Sequence, residues 1–286
     1  MTTLIESIQA VADEAGYTIG ASVIGNNDTT TKQLLAIANR VNQEMANIYL
    51  WNKMFKSASI TLVAGQSSYN LPNDFSSYHY DTFWNQSSRW RLSGAISEQT
   101  YADRKGYGLN PTIYDEFQIR GITDSRLEIL PASNASTDTI IFEYVSDRTI
   151  TPKKWVSGQS FGNGSYCIYN GNYYTTATGG TAGATPPTHT SGSASDGVLT
   201  WTYFDGSYSK FLADSDSTIF NPKTFEQGIL ERFAEIHGLT TILPRFQEKL
   251  ADDFARQKVS KTMFAGGEDT LEVYGRGGKI GFGTPL

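Results

Sequence analysis

Cysteine occurs once in this 286-residue chain, at Cys167, which excludes an intrachain disulfide and a cysteine-built zinc site. Histidine is almost as scarce: His79, His189 and His237 stand far apart and in no HExxH-like spacing, so no metal centre is expected. No apolar run is long enough to span a bilayer, and Glu6, Asp13 and Glu14 stand where a secretory signal would carry positive charge. A protein made in a reducing cytoplasm, with no membrane contact, is the expectation. Basic residues number 23 against 29 acids, a net charge of -6, which argues against a surface shaped to grip phosphates. A neutral or acidic channel would instead let a duplex slide without sticking.

Catalytic signatures are missing too. GxSxG and P-loop patterns do not occur, and GRGGKIGFG has the glycines of a nucleotide loop without the Ser or Thr after its lysine. The adjacent acids Asp115 with Glu116 and Asp252 with Asp253 read as solvated groups, since glycoside hydrolysis needs carboxyls about 5–10 Å apart across one cleft. No catalytic residue and no cofactor is expected.

Hydrophobic residues make up 39% and aromatics 13%, enough for a folded core. Thr3 and Glu6 form a capping box before Leu4, Ile5, Ile8, Val11, Ala12 and Ala15, and Gly16 stops the helix. A second box at Thr30 and Gln33 opens a helix of about five turns carrying Leu34, Ala38, Val41, Met45 and Ile48. The period then changes: in SASITLVAG, Ile60 and Leu62 alternate with Ser59 and Thr61, as in a strand. Pro72 and Asn73-Asp74 mark a turn, and at least five strands with one short helix, around ISEQTYADR, are read up to Ile150. Pro131 and SNAST read as a hairpin connection. Asn221-Pro222 starts a helix lined by Phe225, Ile229, Phe233 and Ile236, ended by Gly238, and Pro244 opens another carrying Phe246, Leu250 and Phe254.

Between Trp155 and Phe204 the only charged residue is Asp196, while Gly, Ser, Thr and Tyr dominate. This composition shift reads as an inserted β module with neighbouring ends. Trp155, Tyr166, Tyr169, Tyr173, Tyr174 and Trp201 fit two readings: a glycan or tail-fibre contact made by exposed rings, or core staples of a small module without disulfide or metal. The last 21 residues hold seven glycines, with Leu271, Val273, Tyr274, Ile280, Phe282 and Leu286 at extended spacing. These are the anchors expected of an arm that orders against a partner, a frayed terminus being the alternative.

Taken together, the helix pair ending in LAIANRVNQEMANIYLWNKMF, the turn VAGQSSYNLPNDF, the hairpins closing with IIFEYVSDR and the returning helices FNPKTFEQGILERFAEIHGL and FQEKLADDFARQKVSKTMF resemble the head-to-tail adaptor proteins of short-tailed phages. The insert, through Trp155, YCIYNGNYYTT, Pro186 and Trp201, resembles chitin-binding-like β modules. The resemblance implies an α+β fold: a bundle of N- and C-terminal helices, an antiparallel hairpin or barrel-like middle, a small all-β insert and an extended tail. The implied domains are an adaptor body over 1–152 and 207–265, an insert over 153–206 and an arm over 266–286. It further implies a virion protein without enzymatic activity, a dodecameric ring at the portal vertex. Portal, tail nozzle or tubular protein, and tail fibres would be the partners, with the arm on the portal and DNA passing through unbound. A carbohydrate-binding tail or receptor-binding component is the rival function.

Overall fold

The computed structural model describes residues 2–79, 81–107, 115–121, 125–132, 137–239 and 244–264, the last seven of these by their backbone alone. The anchors Leu271, Val273, Tyr274, Ile280, Phe282 and Leu286 lie outside the described residues. The chain divides into two compact units, one of Met1–Lys53, Arg148–Phe204 and Tyr208–Leu286, the other of Met54–Asp147 and Asp205–Ser207.

Helix α1 (Leu4–Ala15) has the expected capping box and ends at Gly16 in the left-handed conformation, φ 79°. Helix α2 (Thr29–Ile48) starts earlier than the Thr30 box implies. Its N-cap is Asp28, whose carboxylate accepts both the amide and the hydroxyl of Thr31 at 2.9 Å, and aspartate outranks threonine in this role.

The middle unit is built from two sheets. Strands β1 (Phe55–Thr61), β2 (Ser68–Asn70), β3 (Phe75–Tyr78), β4 (Trp84–Asn85), β5 (Trp90–Arg91) and β6 (Ser93–Gly94) precede helix α3 (Glu98–Tyr107). Strands β7 (Glu116–Arg120), β8 (Arg126–Leu130) and β9 (Thr139–Ser146) follow. One sheet runs β1-β9-β4-β5 with β3 also on β9, the other β2-β8-β7-β6, and no barrel closes among the described residues. Pro131 joins no hairpin: β8 pairs with β7 and β2, whereas β9 becomes the centre of the other sheet. One pair, β6 with β7, is parallel. The two sheets share one core, in which Phe83 stacks on Phe117 at 4.1 Å and on Phe142 at 4.6 Å.

In the other unit, β10 (Ile150–Thr151) leads into β11 (Ser160–Phe161), β12 (Tyr166–Tyr169), β13 (Asn172–Thr176), β14 (Gly180–Thr181), β15 (Ser193–Ser195) and β16 (Thr200–Phe204). After β17 (Ser217–Thr218) come α4 (Pro222–His237) and α5 (Phe246–Phe264). The insert is the four-stranded sheet β12-β13-β16-β15 with the ribbon β11-β14, and β10 pairs with β17 at its root. Helix α4 packs against α1, α2 and α5. Gly228 permits this approach, because a Cβ there would lie 2.7 Å from both Val41 and Phe246. Phe225, Ile229 and Phe233 are buried as expected, but Ile236 is 58% exposed, one turn too near the helix end to reach the core. Helix α5 begins two residues after Pro244, where Glu231 of α4 accepts the amides of Arg245 and Phe246 and acts as its cap.

Candidate interaction surfaces

The segment VAGQSSYNLPNDF folds on its own hydrogen bonds. Gly65 adopts φ 80°, and the Tyr69 hydroxyl accepts the Val63 amide at 3.0 Å while donating to the Gln66 carbonyl at 2.9 Å. Asp74 is buried and accepts Lys56 Nζ at 2.6 Å, Tyr144 Oη at 2.8 Å and Ser146 Oγ at 2.6 Å. Burial opposes its charge, but the bonds from Lys56, Ser146 and Tyr144 outweigh it and hold the carboxyl below the usual range. The motif therefore supplies rigidity, by locking the β2-to-β3 connection onto β9.

Of the four acids read as solvated, Asp252 is exposed, whereas Asp115, Glu116 and Asp253 are half-buried, and two of these have internal partners. Glu116 receives Arg104 through two bonds, at 3.1 and 3.2 Å. Asp253 receives Asn221 at 2.9 Å and the Thr224 hydroxyl, joining α5 to α4. Asp115 is pushed up by burial and by Asp138. Among the described residues no group of three His, Cys, Asp or Glu is placed to hold a metal. The histidines serve packing: His237 lies 4.2 Å from the Phe233 ring, His189 5.0 Å from Tyr174 and His79 5.2 Å from Phe55.

Of the six rings singled out in the insert, Trp155, Tyr173, Tyr174 and Trp201 are buried and offer no face to a sugar. A module of this size must fill its own interior, and Trp155, Tyr174 and Trp201 do so with Phe161, Cys167 and Leu199, while Tyr173 packs against Tyr208 and Arg148. Tyr166 and Tyr169 are half-buried, Tyr169 edge-on to Trp155 at 5.6 Å. Loss of glycan binding on changing Trp201 would thus report unfolding, whereas Tyr169 could report contact.

The exposed large rings lie elsewhere. Trp84 is 45% and Trp90 54% exposed, on the β4-β5 hairpin, where sequence inspection assigned no role. Register aligns Ser59, Ile141, Trp84 and Arg91 as one row across four strands, with Ile141 also exposed. The string WNQSSRWR, two tryptophans between polar residues rather than in an alternating apolar pattern, was the available signal.

A family model described as SU10 adaptor protein matches residues 2–159, more than half of the chain. The chain belongs to the SU10 adaptor protein family. The adaptor match takes in α1, α2 and every strand and helix of the middle unit and stops at the start of the insert's strands. It bears out the resemblance to head-to-tail adaptors; the likeness of the insert to chitin-binding modules has no counterpart in it. A search of curated proteins returned no match.

Proposed function

We propose that this adaptor is a non-enzymatic structural subunit of the phage virion, one that forms a ring between portal and tail nozzle, retains packaged DNA and lines its exit path. The family match over residues 2–159 carries the reading. The architecture supports it: buried Asp74 and Asp196 are engaged by internal donors, as scaffold parts rather than reacting groups. The net charge of -6 suits a passage that DNA crosses without adhering. Leu271, Val273, Tyr274, Ile280, Phe282 and Leu286 are the contacts proposed for neighbouring subunits and portal.

Truncation after Gly267 tests this. The shortened chain should keep the circular dichroism and melting behaviour of the parent, yet fail to dock on portal particles. Normal docking would overturn the assignment of the arm, and a full-length chain that stays monomeric with portal present would overturn the ring.

A further inference from the structure

Strand β1 forms a rim of its sheet, with β9 its only neighbour among the described strands. The Leu62 amide donates to the Asp138 carbonyl at 2.7 Å, and the register runs on through Ile60 with Ile140 and Ala58 with Phe142. In an antiparallel ladder this parity turns the amides and carbonyls of Ile60, Ala58 and Lys56 towards β9. Those of Ser57, Ser59 and Thr61 therefore point away from the sheet, and no described residue takes them.

The side chains follow the same alternation. Ser57, Ser59 and Thr61 are exposed, while Ala58 and Ile60 face the core but remain only partly covered at its margin. Edge strands are ordinarily blunted by charge, proline or a bulge. Here Lys56 is the only charged residue, its ammonium is bonded to Asp74 at 2.6 Å, and the strand contains no proline.

A complement to this rim is an extended segment of about five residues, apolar at alternate positions beside Ala58 and Ile60 and polar at the others. Thr270-Leu271-Glu272-Val273 has that pattern, Leu271 and Val273 falling on one face and Thr270 and Glu272 on the other, where Tyr274 with its hydroxyl would also fall. We propose that β1 is the acceptor edge for residues 270–274 of a second copy of this chain, each subunit lending a strand to the next. The proposal rests on the adaptor reading and deepens it, since a donated strand joins two different surfaces, the kind of contact that closes a ring. Ile280, Phe282 and Leu286 would then be left for the portal.

Amide hydrogen exchange on the full-length assembly provides the test. The amides of Ser57, Ser59 and Thr61 should exchange at least about tenfold more slowly than in the chain truncated after Gly267. A peptide of residues 269–275 added to the truncated chain should restore the protection, and Thr61→Pro, which removes an outward amide without touching the β9 ladder, should abolish it. Ser59→Lys, at an exposed side chain, serves the same purpose if the proline variant does not fold. Mixing isotopically heavy Ser59→Cys chains with light Glu272→Cys chains, whose side chains would share the exposed face, should give heavy–light disulfides. Equal exchange with and without the arm, or protection that persists in an isolated monomer, overturns the proposal. A ring whose β1 amides are unprotected refutes this pairing and leaves the adaptor reading standing; protection by the peptide without any ring does the reverse.

Discussion

Asp196 accepts the indole N–H of Trp201 at 2.9 Å, so the one charged residue between Trp155 and Phe204 is bonded to a fully buried ring. The same carboxylate takes the amides of Gly183, Val198 and Leu199. Burial works against the charge, but Trp201 and the three amides prevail and keep the carboxyl below its ordinary range. Asp196→Ala strands four donors, each costing about 1–3 kcal/mol when buried without a partner. The expected result is early loss of the insert's tryptophan fluorescence in a urea titration, with the helical signal retained to higher urea.

Asp74 should control the acid stability of the middle unit. Its folded-state value lies below the unfolded one near 3.9, so its contribution is complete above that pH and disappears as the pH falls through the folded value. Asp74→Asn removes one partner of a largely buried ion pair, a change that typically costs about 3–5 kcal/mol. Thermal melts from pH 7 to pH 2.5 should show the parent's acid slope flattened in the variant. A variant as stable as the parent at pH 7 would refute the role.

Asp216 should behave in the opposite sense. Its Oδ2 accepts Leu212, Ala213 and the Tyr208 hydroxyl, but its Oδ1 is buried without a partner among the described residues. Burial raises its pKa against the pull of those bonds, with Asp214 adding to the rise. A raised carboxyl binds its proton more tightly when folded, so stability falls as pH climbs from the unfolded value towards the folded one, then levels. Asp216→Asn mimics the protonated form and should stay within about 1 kcal/mol of the parent at pH 7 while removing that slope. A steep loss of stability would show that the charge is required.

Along α4, Phe233→Ala should destabilise by about 3–5 kcal/mol, because its ring is wholly enclosed. Ile236→Lys, three residues on, should change stability by less than about 0.5 kcal/mol. Chemical denaturation of both variants decides the matter.

The local signals in the sequence were reliable where neighbours in the chain settle the structure. Thr3 with Glu6, Asn221 with Pro222 and the two glycine stops act within a few residues, and all formed as expected. Strand partners were illegible: nothing near Pro131 tells β9 to join β1 rather than β8, a choice made by long-range burial of Ile140 and Phe142. The same holds for the surface. Trp155 and Trp84 carry identical side chains, and only the completed sheets decide that one is enclosed and the other half in water. Asp196 is conspicuous as a lone acid in a neutral stretch, but its role is not legible from its neighbours, since its donors come from residues up to 13 positions away.

The pairing of Ile150 with Thr218 and Thr151 with Ser217 brings the insert's entry and exit side by side. A doorway of that kind makes the intervening module a replaceable cartridge. Shortening or deleting it would leave the β10-β17 pair and the helices on either side of it in the sequence with their own contacts.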